Sequence, residues 1–462
     1  MPAHPYDAIP PLAGIASIEE AARVGLSVDE NVHRLVRFHW VERRLMAALI
    51  AHLAAEPVWE VKCALALHQW QCGEHVDALR TRIGEMRHPA PALDVAPDPA
   101  LDRFLEELLH ARGTAELLAG FHGVAYPALA EAYHEHRSRS NPLVDHPTGR
   151  LLRIALADTE EAVAWGREAL AAVQRAAPER MSETTSWVEH LRGLLAAAGG
   201  IAGDAMIANA PVSTHLRSSR PFIPDFHPRR DERFIGAYNF EFPPHVVYNT
   251  PGVPADERTL ALLCKRALEM DVPEMMSSFM TERAGQSWEF HRDYSRQLWD
   301  EARHAMMGTV ALEERGIDWK ASLPLNVSFA LRLNLHATPL ERQILLYAIE
   351  QSLMPADTGK RFEYDTALEA GDALAAHFQD YDWADEVLHT QIGRRMLRRD
   401  GISREHAIER AAEIHEKTWA ALDAYRARAP QDNWWPEFVR RSLGRAGSDI
   451  RLGEERPSVI TE

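Results

Sequence analysis

Lysine is scarce in this chain, found only at positions 62, 265, 320, 360 and 417, and arginine supplies the remaining basic residues. Basic side chains are outnumbered by acidic ones, 51 to 68, for a formal charge of −17. No basic patch dominates any segment, which argues against a nucleic-acid partner. Cysteine is scarcer still: Cys63, Cys72 and Cys264 are too few for a disulfide framework or a zinc ribbon. Long apolar runs are missing as well. The nearest to one, GLLAAAGGIAGDAMIANA, is rich in Gly and Ala and broken by Asp204, so it is not read as a bilayer span. The opening MPAHPYDAIPPLAG has neither the basic start nor the apolar stretch of a secretory leader. There is no Gly-rich phosphate loop, no G-x-S-x-G and no paired C-x-x-C. The expectation is a cytoplasmic protein without a membrane segment.

What is present is helical patterning, in a chain of 462 residues that is 46% hydrophobic and so has room for two cores. Residues 29–55 and 59–86 have apolar positions at three- and four-residue spacing, with Glu-Pro between them. After the break HPAPALDVAPDPA, two further helical stretches, 101–137 and 147–175, flank SRSNPLVDHPTG. Four long helices joined this way predict an up-down bundle over residues 1–175. Residues 176–255 open with one more helical stretch, then lose the helical period and turn dense in Pro and aromatics, as expected of a connector or a lid. From 256 to about 399 four long helical segments resume, and a charged helix over 403–428 and DNWWPEFVRRSL complete a second unit, 256–462. The fold class is therefore all-α, and a flavin or nicotinamide site, which needs a parallel sheet, does not fit it.

Two short motifs carry chemistry. LWDEARHAMMG holds Glu301 and His304 three residues apart, and YDWADEVLHTQIG holds Glu386 and His389 at the same spacing. Each pair follows an aspartate, Asp300 or Asp385. On a helix, side chains three apart share a face, so one Glu and one His can reach a common point. One such pair is close to noise; two with the same preceding Asp are not. A pair of metal ions in a bundle core wants one more carboxylate from each partner helix. Glu269 in RALEMD and Glu350 in YAIEQS lie one helix and a turn upstream, in apolar settings where an unpaired carboxylate is costly. Glu274, Glu282 and Glu341 are the rival choices. Four carboxylates and two imidazoles neutralise two divalent ions, and hard oxygens with borderline nitrogens suit iron or manganese better than zinc or copper.

Across residues 256–399 the chain resembles the ferritin-like di-iron carboxylate superfamily. The resemblance implies two iron ions (manganese being the alternative) held by Glu269, Glu301, His304, Glu350, Glu386 and His389, with the four glutamates serving catalysis. It makes Asp300 and Asp385 candidates to hydrogen-bond the ligand histidines. It further implies O₂ and a small organic molecule as substrates, room for an external electron donor, and pairing into a homodimer. Met276, Phe279, Tyr294, Trp299, Met306, Tyr347 and Phe378 are read as core packing first and pocket lining second.

A weaker copy of the motif stands in the first half. WEVKCALALHQWQCGEH aligns with WEFHRDYSRQLWDEARH, pairing Trp59 with Trp288, Trp70 with Trp299 and His75 with His304. Cys72 then stands where the second copy has Glu301. Glu42, Glu131 and Glu161 are the remaining candidates there, yet Ala164 occupies the position three beyond Glu161. The expectation is two tandem ferritin-like bundles, the first with a degenerate site, and an oxygen-dependent di-iron oxygenase or oxidase. The rivals are a ferroxidase of the ferritin type and a helical binding module without catalysis.

Overall fold

The computed structural model describes residues 4–89, 93–204 and 215–448; the ends of the two Pro- and Gly-rich stretches, at 90–92 and 205–214, lie outside them. No strand occurs among the described residues, and no helix is long and apolar enough to cross a membrane. The helices used below are α1 (Val28–Leu53), α2 (Trp59–Glu85), α3 (Pro99–Leu108), α4 (Gly113–Gly120), α5 (Tyr126–Arg139), α6 (His146–Ala176) and α7 (Met181–Ala197). They continue with α8 (Ala255–Leu268), α9 (Asp271–Glu282), α10 (Trp288–Glu314), α11 (Ser328–His336), α12 (Pro339–Ser352), α13 (Lys360–Glu369), α14 (Ala373–Arg399), α15 (Arg404–Ala420) and α16 (Trp435–Leu443).

The chain divides into two compact units. One comprises residues 1–48 and 71–223, the other 49–70 and 224–462. The hairpin tip joining α1 to α2 thus belongs with the second unit, and the stretch read as a connector divides at Ile223. In the first unit α5 packs on α6, while α3 and α4 pack on α7, around buried Phe38, Leu79, Phe104, Phe121, Tyr133 and Trp187. The expected helix over 101–137 is broken between α3 and α4, where Gly113 takes a φ of 74° at the start of α4. Beyond it, Pro127 has no N–H to give the carbonyl four residues back, and the turn before it, Phe121–Ala125, widens to a π turn without ending the helix.

In the second unit α8 packs on α10, α10 on α14, α14 on α12 and α12 on α9, and α9 packs back on α10 to close a ring. The capping residues are legible: Thr338 and Glu341 form a capping box at α12, and the Asp372 carboxylate accepts from the Ala375 N–H at α14. The first of the four expected segments is broken between α8 and α9. Pro273 lacks the N–H that would bond the Glu269 carbonyl, so Glu269 is left at the C-cap of α8. Two glycines let neighbouring backbones approach. A Cβ on Gly308 of α10 would fall onto the Ala267 nitrogen and within 2.8 Å of Arg266 Cβ on α8. On Gly393 of α14 it would come within 2.8 Å of the Tyr347 ring on α12. Each glycine lies one turn beyond a motif histidine, so the close crossings fall beside the site.

Candidate metal centre

Glu301 and His304 project from one face of α10, Glu386 and His389 from one face of α14, and Glu350 from α12. Ligand atoms of Glu301, Glu350, Glu386 and His389 lie within 4.8 Å of one another, as do those of Glu269, Glu301 and His304 and those of His304, Asp382 and Glu386. The fold therefore brings all six sequence-predicted ligands together, with Glu301 and Glu386 each shared between two groups. None of Glu301, His304, Glu350, Glu386 and His389 is more than 3% exposed, so their charges have almost no water to answer them.

The histidines are held crosswise. His304 Nε2 lies 3.2 Å from Asp385 Oδ2, and His389 Nε2 lies 3.4 Å from Asp300 Oδ2. Each aspartate thus serves the histidine of the other motif. Arg303 donates to both aspartates, reaching Asp385 at 2.8 Å, and Arg296 adds 2.8 and 2.9 Å bonds to Asp300. With Nε2 engaged, each Nδ1 faces the carboxylates. His389 Nδ1 is 3.1 Å from Glu301 Oε1 and 3.4 Å from Glu386 Oε2. His304 Nδ1 is 3.2 Å from Asp382 Oδ1 and 3.7 Å from Glu301 Oε2. Both Nδ1 atoms, Glu301 Oε1 and Glu386 Oε2 are buried without a hydrogen bond of acceptable geometry. Close but misaimed donors and acceptors are what ligands around a cation look like, and a carboxylate behind each imidazole is the usual support of a metal-binding histidine.

Electrostatics tell the same story. Burial pushes the Glu350 carboxyl well above the ordinary range, and the charges of Glu386 and Glu301 add to it. Burial likewise lifts Glu269 to about 7, against the pull of Arg266 and Lys360. Burial would lower His304, yet Asp382, Asp385 and Glu301 together carry it up to about 10. Burial also opposes ionisation of Asp300, but His389 and the two arginines hold it at about 2. The cluster carries more negative charge than its imidazoles can balance, and the demand is for positive charge at their Nδ1 atoms.

Three functional candidates escaped the sequence reading. Asp382 joins the His304 group, and its signal was available: it lies four residues before Glu386 and seven before His389, on the same helix face. Lys360 and Arg266 reach the cluster from α13 and α8, and no spacing announces either. The rival glutamates are committed elsewhere. Glu274 pairs with Lys62 and Arg230, Glu282 with Arg342, and Glu341 with Lys417. Of the expected lining residues, Met276, Phe279 and Tyr294 are core packing, with the rings of Phe279 and Tyr294 5.0 Å apart. Trp299 stacks on Trp70. Tyr347 is different: it is buried, hydrogen-bonds Gln351 at 3.4 Å, and lines a groove of about 580 Å³ with Arg394, Leu397, Arg398 and Ile402.

The copy in the first unit is wired differently. His75 is gripped on both nitrogens, Nδ1 lying 2.9 Å from Glu42 Oε1 and Nε2 3.0 Å from Asp158 Oδ2. Tyr133 donates to the same Glu42 oxygen at 2.7 Å, and Cys72 Sγ lies 3.5 Å from the Tyr126 hydroxyl. Neither imidazole nitrogen is left for a metal. Burial works to lower His75, but the Glu42 charge and the Asp158 hydrogen bond raise it to about 9, so its proton supplies the positive charge. Burial drives the Cys72 thiol well above its ordinary range, away from a reactive thiolate. Glu131 and Glu161 are exposed and stand apart from this network, whose third member, Asp158, lies one turn before the position the helix spacing pointed to. No family model, curated protein or solved structure is similar enough to the chain to match.

Proposed function

We infer that the chain is an oxygen-dependent non-haem di-iron oxygenase or oxidase acting on a small organic substrate. In this reading it is built as two tandem ferritin-like four-helix bundles, of which the second does the chemistry. The observation that carries the reading is the crosswise pair of histidines, each with Nδ1 turned to shared glutamates and Nε2 braced by the other motif's aspartate. Glu301, Glu350, Glu386 and His389 would hold one ion, and Glu269, Glu301 and His304 with Asp382 or Glu386 the other. Glu301 and Glu386 each belong to two of the groups and would contribute to both positions. The donor set of carboxylates and imidazoles favours iron, with manganese the alternative.

When bound, a pair of ferrous ions supplies the binding and reduction of O₂. The chain supplies the surroundings. Its buried helix ring excludes water from the ligands, Asp300 and Asp385 fix the imidazole orientation, and neutral Gln297 donates a hydrogen bond to Glu350 at 3.0 Å. A cytoplasmic setting, an external electron donor and a homodimer belong to the same reading. Metal analysis after anaerobic loading with Fe²⁺ tests it. Two irons per chain are expected, lost in Glu301→Ala and kept in Cys72→Ala. A chain that takes up no iron or manganese sinks the proposal, and fast O₂ uptake ending in mineral would turn it toward iron handling.

A further inference from the structure

Buried positive charge gathers on one side of the cluster. Lys360 is fully buried, with Nζ 3.0 and 2.9 Å from the two Asp382 oxygens and 2.8 Å from Glu386 Oε1. Arg266 donates to Glu269 at 2.6 Å and to Glu363 at 2.8 Å, and also reaches Asp382. Glu269, Asp382 and Glu386 are carboxylates that face His304. The opposite side has no such charge: among the described residues, Glu301 and Glu350 form no ion pair with lysine or arginine.

The fold fixes Lys360 in place. The loop after α12 folds back so that the Lys360 N–H donates to the Leu353 carbonyl at 3.0 Å and the Gly359 N–H to Pro355 at 2.9 Å. A Cβ on Gly359 would collide with the Leu353 carbonyl, so the loop needs this glycine to deliver the next residue. Lys360 then opens α13 with its stem in the core, and one turn later Glu363 receives Lys265 and Arg266.

We propose, resting on the two-metal reading above, that Lys360 is a fixed rival for metal on the His304 side, so that the two metal positions bind with unequal affinity. An ion held by Asp382 and Glu386 must share both ligands with an ammonium a hydrogen bond away. Like charges repel strongly at such range in a buried site. An arginine cannot relieve the repulsion by losing a proton, and Arg266 stands behind Asp382 and Glu269. The position built from Glu301, Glu350, Glu386 and His389 meets Lys360 only through Glu386, and fills first.

Mn²⁺ is a suitable probe, titrated by equilibrium dialysis against the full chain and followed by the electron-spin signal of isolated versus paired ions. The wild type is expected to bind one ion at least about tenfold more tightly than a second, roughly the scale of one lost favourable contact. Lys360→Met should tighten the second ion and close most of that gap, and Glu350→Gln should remove the tighter ion and leave the weaker. Two equal ions in the wild type, an unchanged gap in Lys360→Met, or loss of the weaker ion in Glu350→Gln would each overturn the inference while leaving the two-metal reading intact. Binding of no ion at all would remove that reading first. If circular dichroism finds Lys360→Met unfolded, the wild-type stoichiometry and the Glu350→Gln arm decide the matter.

Discussion

Asp300 and Asp385 look interchangeable in the sequence, each standing directly before a motif glutamate, and a reader of the motif alone would assign each to the histidine four residues on. In the fold each braces the histidine across the cluster, because α10 and α14 pack side by side and present their motif faces to each other. Substitutions should therefore act at a distance from their own motif. Asp300→Asn is expected to weaken metal binding at the His389 position by about 10–100-fold, the usual cost of losing such a partner. Asp385→Asn should do the same at the His304 position. Site-resolved Mn²⁺ titration of the two variants checks this, and a loss confined to each variant's own motif would contradict it.

Helices carried most of what could be read in advance. The doubled D-E-x-x-H spacing marked α10 and α14 because a ligand pair on one helix must obey the helical period, and capping residues such as Thr338 and Asp372 marked where helices begin. Breaks were harder. Pro273 and Gly113 stand at breaks in helical stretches whose apolar spacing continues across them, so periodicity alone runs the segments together. Contributions from separate helices were invisible: Lys360 and Arg266 meet Asp382 through tertiary packing, which no local pattern encodes. One local signal was overlooked. Gly308 and Gly393 each follow a motif histidine by four residues, making the shared unit D-E-x-x-H-x-x-x-G. Gly308→Ala should force α8 and α10 apart and cost about 1–3 kcal/mol of stability, as overpacking of a tight contact does. Gly393→Ala, which meets the Tyr347 ring rather than backbone, should cost less, and urea unfolding of both variants tests the order.

Taken whole, the molecule handles the same difficulty, buried carboxylates on helices, in two ways. The first unit answers Glu42 and Asp158 with a proton on His75. Because folding raises that imidazole from 6.5 to about 9, its contribution is complete below pH 6.5 and is lost as pH climbs through 9. The difference is worth roughly 3 kcal/mol, so stability measured by urea should fall over that window, and His75→Gln should flatten the fall. The second unit has too many carboxylates for its imidazoles and, on the reading proposed, turns to metal. Its exchanged aspartates carry a consequence for how such a centre comes into being. A nascent chain that has made α10 but not α14 owns His304 without its brace, and Asp300 has no histidine to hold. Neither half can mature before the other arrives, so on the reading proposed the centre assembles all at once, and only after α14 has been made.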